Sequence, residues 1–121
     1  MAKAIVDSGN EVSSPWVLGK LEGTASTVNV FHRDRIGSEE SDVLVADVTE
    51  PSIGVGMEIM AAYKAGRKIV LVAKKGVVTS RMLQHMEGKE TLEYNDETEV
   101  YEGLRRLLEM IGQQRRSAEP I

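Results

Sequence analysis

"DVLVADVTEPSIGVGMEIMAAYKAGRKIVLVA", residues 42–73, is the segment that predicts the architecture of this chain. It begins with a nearly continuous apolar run, 42–48, continues through a predicted helix, 58–65, that stops at Gly66, and closes with a second apolar run, 68–73. Apolar runs of this kind are typical of strands buried on both faces of a parallel sheet. Strand, helix and strand in this order predict a βαβ unit with a right-handed crossover.

The flanking segments continue the alternation of helices and strands. Further helices are predicted over 1–8, 24–40, 79–87 and 97–111, and further strands over 11–18 and 91–95. Together they predict an α/β fold, a flavodoxin-like or Rossmann-like doubly wound parallel sheet, over residues 1–112, with a flexible tail over 113–121. Such domains usually open with a strand, whereas this chain opens with a helix, so the usual first strand is predicted to be missing.

Composition narrows the class of protein. The chain has 121 residues, 41% hydrophobic and 28% charged, which indicates one soluble domain. A net charge of -4 leaves no dense basic face for nucleic acid. There is no cysteine, His32 and His85 are isolated, and no apolar run approaches membrane-spanning length. We therefore expect a cytoplasmic protein with no metal, no cofactor, no nucleic-acid partner and no membrane association.

The loop "TEPSIGVG", residues 49–56, follows the first apolar run and leads into the predicted helix. In open α/β sheets, ligands bind beyond the carboxyl ends of the strands, beside helix N-termini that favour phosphate groups. Gly54 and Gly56 would let backbone N–H groups approach a ligand, and Ser52 adds a hydroxyl donor. The same residues also suit a tight turn and a helix cap without any ligand. The loop lacks the lysine of a Walker A motif and the third glycine of a dinucleotide fingerprint.

Carboxylates follow and precede this loop. Glu58 would lie in the first turn of the predicted helix, where the helix dipole also favours a carboxylate for purely structural reasons. Asp34, in "FHRDRIG", and Asp47, at the end of the strand, could reach the same edge of the sheet. Two carboxylates around one site allow a nucleophile and an acid to divide the work, as in retaining glycoside hydrolysis.

The string "RDRIGSEESDVLVADVTEPSIGVGMEI", residues 33–59, closely resembles the nucleoside 2-deoxyribosyltransferase superfamily. Its nearest branch is the 2'-deoxynucleoside 5'-phosphate N-hydrolases, which share an arginine-aspartate pair, an apolar strand and the pattern PSxGVGxE. The resemblance is strongest over residues 28–73. It implies that Glu58 is the nucleophile that attacks the anomeric carbon of deoxyribose. It also implies that Asp34 helps to protonate or orient the leaving base.

The resemblance extends to substrate binding and assembly. Ser52, Gly54 and Gly56 match the family's substrate-binding loop, where the 5'-phosphate lies. Ser80 matches a serine that reaches the phosphate from the neighbouring subunit, which implies a homodimer formed through the helices that follow the predicted strands 42–48 and 68–73. Exposed apolar residues expected on those helices are Met60, Tyr63 and Met82.

The sequence leaves three functions open. The first is hydrolysis of the N-glycosidic bond of 2'-deoxynucleoside 5'-monophosphates, which releases free base and deoxyribose 5-phosphate. The second is deoxyribosyl transfer between bases, and the third is a non-catalytic nucleotide-binding module. Trp16 stands where the family often has a histidine, and it suits either stacking on a base or ordinary packing.

Overall fold

The fold is that of a computed structural model, which describes residues 1–12 and 29–118, with side chains to residue 115. In chain order its elements are α1 Ala2–Asp7, α2 Val30–Glu40, β1 Val43–Asp47, α3 Ile53–Lys64, β2 Lys68–Lys74, α4 Arg81–His85, β3 Lys89–Tyr94 and α5 Glu97–Ala118. The predicted strand over 11–18, including Trp16, falls mostly outside the described residues, as does the first part of the predicted helix over 24–40. The predicted absence of the usual opening strand stays a prediction.

The described strands form one parallel sheet in the order β1-β2-β3. Val43 of β1 pairs with Lys68 of β2, and Ile69 of β2 pairs with Lys89 of β3. The β1–α3–β2 unit predicted from the apolar runs is confirmed. Because all described strands are parallel, their carboxyl ends meet at one edge, and α3 and α4 begin beside that edge.

Helices cover both faces of the sheet, as the doubly wound prediction requires. Alternate residues of β2 point to opposite faces, so each face has its own apolar cluster. The cluster against α1 and α5 contains Ala4, Val70, Val72, Val100, Leu104, Leu108 and Ile111. The cluster against α3 contains Ala46, Ile59, Ala62, Ile69 and Leu71. The central strand β2 is therefore buried on both faces, which explains its continuous apolar sequence.

The start of α3 differs from the prediction. The helix begins at Ile53 rather than at residue 58, so Gly54 and Gly56 are helical residues and not loop residues. The Ser52 hydroxyl caps this end by accepting a hydrogen bond from the Val55 N–H over 3.3 Å. Each glycine inside a helix costs about 1 kcal/mol relative to alanine. The cap, and the packing of Val55 against the α3 cluster, offset this cost.

The closing helix α5 begins at Glu97 as predicted but extends past residue 111 to Ala118. Arg105 pairs with Glu102 and Glu109 on its surface, and Arg115 reaches Asp42 at 3.2 Å. The Arg115–Asp42 pair lies in the helical turns past residue 111, which the polar sequence alone did not predict. The division of the chain at residue 112 stays a prediction. Within the described ranges, no helix has both the length and the apolar character needed to cross a membrane.

Candidate active site

A cleft of about 510 Å³ contains two of the three carboxylates that the sequence singled out, Asp34 and Glu58. Its described lining comes from α1, residues 10–12, α2, residues 41–42, β1 and Leu108 of α5, together with Glu58 of α3. Asp34 of α2 lies in the same lining. Packing of α2 against α3 brings these two side chains, which are distant in the sequence, to one cavity.

Asp34 is held by its neighbour in the chain. The Arg33 Nε donates to Asp34 Oδ1 over 2.8 Å, and each of the two side chains is only 23% exposed. The backbone of this turn is fixed as well, because the buried Ser38 hydroxyl donates to the Asp34 carbonyl over 2.8 Å. A half-buried, charge-assisted hydrogen bond of this kind gives the Asp34 carboxylate a defined position in the cleft.

Glu58 is half-buried beside this pair. Burial raises the pKa of the Glu58 carboxyl above its usual range, the charge of Asp34 raises it further, and the charge of Arg33 opposes the shift. A carboxylate with a raised pKa is more basic than usual, which suits a nucleophile or a proton carrier. Two interacting carboxyls therefore line a single cleft, and the Arg33 guanidinium interacts with both of them.

The helix-dipole explanation for Glu58 is wrong. Because α3 begins at Ile53, Glu58 lies beyond its first turn, which contains no acidic residue. The dipole effect falls off within the first turn. Gly54 precedes Glu58 by about one turn and therefore lies on the same face of the helix. An anion at the start of α3 and the Glu58 carboxylate would thus lie along one side of α3.

The glycines of α3 have no packing reason among the described residues. A Cβ added to Gly54 or Gly56 would meet nothing within 4 Å. Neither glycine has a positive φ, so a tight turn does not require them either. Both positions are exposed, which leaves the backbone of the first turn open to solvent or a ligand.

The two serines begin different helices. Ser52 is the N-cap of α3, and Ser80 is the N-cap of α4, where its side chain makes no capping hydrogen bond. Both are exposed, and neither lies in the described lining of the cleft. The structure thus brings Asp34 and Glu58 together, sets Ser52, Gly54 and Gly56 at the start of α3, and keeps Ser80 apart within one chain.

Asp47 does lie at the edge of the sheet, but its carboxylate is engaged elsewhere. Its two oxygens accept from the Thr49 N–H over 2.9 Å and from the Tyr94 hydroxyl over 3.3 Å. Tyr94 was missed in the sequence, where a tyrosine that ends the weakest strand gives no sign of a cross-sheet contact. Among the described residues, no group of histidine and acidic side chains could hold a metal ion.

No family model matches the chain. A protein of Syntrophotalea carbinolica with the name "Putative 2'-deoxynucleoside 5'-phosphate N-hydrolase 1" is 46% identical over 55 residues, which cover 46% of this chain and 35% of that protein. A protein of Methanococcoides burtonii with the same name is 33% identical over 81 residues, 64% of this chain and 66% of that protein. The chain thus spans less than two thirds of the length of these relatives.

Among solved structures, the CMP N-glycosidase BcmB of Clostridium botulinum matches with a TM-score of 0.67 and 21% identity, over 87% of this chain and 83% of that protein. At this identity the likeness concerns the fold alone, which is an α/β fold with a parallel sheet. The chain is thus similar to proteins named 2'-deoxynucleoside 5'-phosphate N-hydrolases, so the resemblance identified in the sequence is confirmed.

Proposed function

We propose that this protein hydrolyses the N-glycosidic bond of 2'-deoxynucleoside 5'-monophosphates, releasing free base and deoxyribose 5-phosphate. One observation carries the proposal: Glu58 and the Arg33-bound Asp34 share a cleft, and Glu58 lies about one turn from an open helix N-terminus. The names of the relatives, N-hydrolases of deoxynucleotides, support the same reaction. A cytoplasmic location stays a prediction.

In the proposed first step, the Glu58 carboxylate attacks the anomeric carbon of the deoxyribose. The bond from that carbon to the base nitrogen breaks, and its electron pair leaves with the base. Asp34 orients the departing base and relays the proton that it takes up. The raised pKa of Glu58 supports its assignment as the nucleophile, because a more basic carboxylate is the better nucleophile once ionised.

In the second step, water attacks the anomeric carbon of the glycosyl-enzyme. The bond to the Glu58 oxygen breaks, the carboxylate is regenerated, and the proton lost by water passes to Asp34 or to solvent. Two successive displacements at one carbon are typical of a carboxylate nucleophile. In a transferase, a second base would replace the water.

The phosphate end of the substrate is assigned to the start of α3. The first N–H groups of a helix have no partner inside it, and they favour anions. The Gly56 N–H already donates to the Ser52 carbonyl over 3.1 Å, whereas Gly54 lies in the open first turn. We therefore assign the phosphate contacts to the Gly54 N–H and the Ser52 hydroxyl. Gly56 contributes by its missing side chain, which leaves room for the ligand.

A homodimer would complete this site with Ser80 of the partner chain. The proposal is supported by exposed apolar side chains on α3 and α4: Met60 is 46%, Tyr63 40% and Met82 76% exposed. Exposed apolar surface of this kind favours association between copies. Light scattering at micromolar concentration should give a dimer mass, and Met82→Glu should lower it. A monomeric wild-type protein would contradict this assembly.

The activity is tested by incubating the protein with the four 2'-deoxynucleoside 5'-monophosphates and separating the products by chromatography. The proposal expects free base and deoxyribose 5-phosphate in equal amounts. The unphosphorylated deoxynucleosides, as matched controls, should react far more slowly. A second run with an added acceptor base distinguishes transfer from hydrolysis. Nucleotide binding in calorimetry without any base release would instead support the binding module.

A further inference from the structure

Three residues close a ring of hydrogen bonds at the carboxyl edge of the sheet. The Thr49 N–H and the Tyr94 hydroxyl both donate to the Asp47 carboxylate, over 2.9 and 3.3 Å. The Thr49 and Tyr94 hydroxyl oxygens are 3.3 Å apart. Because a tyrosine hydroxyl has one hydrogen, which here goes to Asp47, the Thr49 hydroxyl is the donor in this last contact. Each of the three hydrogen bonds in the ring then has a hydrogen of its own: the Thr49 N–H, the Tyr94 hydroxyl and the Thr49 hydroxyl.

The ring joins all three described strands. Asp47 ends β1 and Tyr94 ends β3, and β2 lies between them. The Thr49 hydroxyl oxygen also accepts from the N–H of Lys74, the last residue of β2, over 3.0 Å. A single tyrosine hydroxyl therefore links the far strand to the loop that follows β1.

That loop leads directly to the proposed phosphate site. Only Glu50 and Pro51 separate Thr49 from Ser52, the N-cap of α3. The ring of Pro51 fixes its own φ angle, so this short connection has little freedom to absorb a movement of Thr49. The position of Thr49 therefore determines where the Ser52 hydroxyl and the first N–H groups of α3 lie.

We propose that Tyr94 is a positioning residue for the phosphate end of the substrate: through Asp47 and Thr49, its hydroxyl holds the loop that presents Ser52 and the Gly54 N–H. The inference rests on the function proposed above and adds a residue on the far strand that does not touch the nucleotide. A binding group displaced by a fraction of an ångström loses hydrogen-bond geometry, and the loss appears as weaker phosphate binding.

The test replaces Tyr94 by phenylalanine, which keeps the aromatic ring packed against the α5 cluster and removes only the hydroxyl. Calorimetry measures the affinity for 2-deoxyribose 5-phosphate and for 2-deoxyribose. We expect Tyr94→Phe to weaken binding of the sugar phosphate by about fivefold, the effect of one hydrogen bond, and to leave the affinity for the sugar unchanged. In activity assays, KM for deoxynucleoside monophosphates should rise more than kcat falls.

Tyr101→Phe is the matched control. The Tyr101 hydroxyl also donates to a carboxylate, Asp7 Oδ2 at 2.6 Å, but that carboxylate belongs to α1 and not to the loop before α3. This variant should lose stability and retain sugar-phosphate affinity. From the loop side, Thr49→Val should reproduce the effect of Tyr94→Phe, and Thr49→Ser, which keeps the hydroxyl, should restore wild-type affinity.

The positioning role is overturned if Tyr94→Phe binds the sugar phosphate as tightly as the wild type. It is also overturned if Tyr101→Phe loses affinity equally, or if the wild type binds the sugar phosphate no better than the sugar. A wild type that binds sugar phosphate but releases no base would overturn the proposed reaction alone. The effect of Tyr94→Phe on sugar-phosphate binding would then still uphold the positioning role.

Discussion

The two longest helices of the described residues, α3 and α5, begin in opposite ways. At α5, Asp96 accepts the Glu99 N–H over 2.9 Å, the Glu99 carboxylate accepts the Asn95 N–H over 2.7 Å, and Glu97 and Glu99 both lie in the first turn. These carboxylates satisfy open N–H groups and oppose the positive end of the helix dipole. At α3, Ser52 makes one cap, no acidic residue lies in the first turn, and two glycines lower helix propensity.

The difference separates a helix start suited to stability from one suited to a ligand. The start of α5 supplies its own negative charge, so it has little left to offer an external anion. The start of α3 keeps its positive end unneutralised and its backbone exposed. Its glycines cost about 1 kcal/mol each and meet no neighbour that needs them among the described residues. We interpret the helix stability that is lost at Gly54 and Gly56 as the cost of keeping the start of α3 open to an anion.

The largest expected effect separates the glutamates of the two helices. Glu58→Gln removes the proposed nucleophile, so base release from deoxynucleoside monophosphates should fall by at least about a hundredfold. Glu99→Gln weakens the cap of α5 and should lower the melting temperature while turnover stays near that of the wild type. Chromatographic base release and thermal melts of both variants provide the test. Substantial hydrolysis by Glu58→Gln would exclude Glu58 as the nucleophile.

A smaller effect is expected from adding one methyl group to each helix. Gly54→Ala meets no atom within 4 Å, so it should stabilise the protein by up to about 1 kcal/mol and weaken phosphate binding. In Gly103→Ala of α5, the added Cβ would lie 2.7 Å from Leu92 Cδ1, and this clash should remove much or all of the gain.

Urea unfolding gives the stability of both alanine variants, and phosphate calorimetry gives the binding. The α5 variant Gly103→Ala is the control for phosphate binding, since its affinity for phosphate should equal that of the wild type. Unchanged phosphate affinity in Gly54→Ala would show that the open start of α3 does not bind the anion.

The smallest expected effect is a pH dependence of stability. The pKa of Glu58 is higher in the folded state than its usual value, so the protonated form contributes stability at low pH that is lost as pH rises through the folded pKa. The free energy of unfolding of Glu58→Gln relative to wild type should therefore increase with pH above about 4.3, the ordinary glutamate pKa.

Asp7 in α1 gives the opposite sign and serves as the control. Its pKa is lowered chiefly by hydrogen bonds from Lys3 and Tyr101, so its contribution is present above its usual pKa and is lost as pH falls through the folded pKa. Asp7→Asn should therefore be less stable than wild type near neutral pH, with a difference that shrinks in acid. Urea titrations from pH 3 to pH 8 would reveal both trends. If the free energy of unfolding relative to wild type changed with pH in the same way for Glu58→Gln and Asp7→Asn, the burial of Glu58 would be contradicted.

The prediction of α3 shows where sequence patterns failed. The apolar runs of β1 and β2 were located to within a residue. In β2, burial on both faces leaves little choice of residue type, whereas β1 is mostly half-buried. The start of α3 was placed too late because glycine usually indicates a turn, whereas here a serine cap and the packing of Val55 extend the helix through both glycines. The pairing of Asp34 with Glu58 was expected, but the role of Arg33 beside them emerged only from the packing of α2 on α3.

The sequence by itself determined the βαβ unit, the parallel sheet and the identity of the candidate nucleophile, because these depend on local patterns of burial and on a contiguous motif. Only the tertiary structure decided the helical state of Gly54 and Gly56, the raised pKa of Glu58 and the ring formed by Asp47, Thr49 and Tyr94. Those features depend on contacts between residues far apart in the chain. Burial and hydrogen-bond geometry between distant residues are set by how the helices and strands pack, which no local pattern encodes.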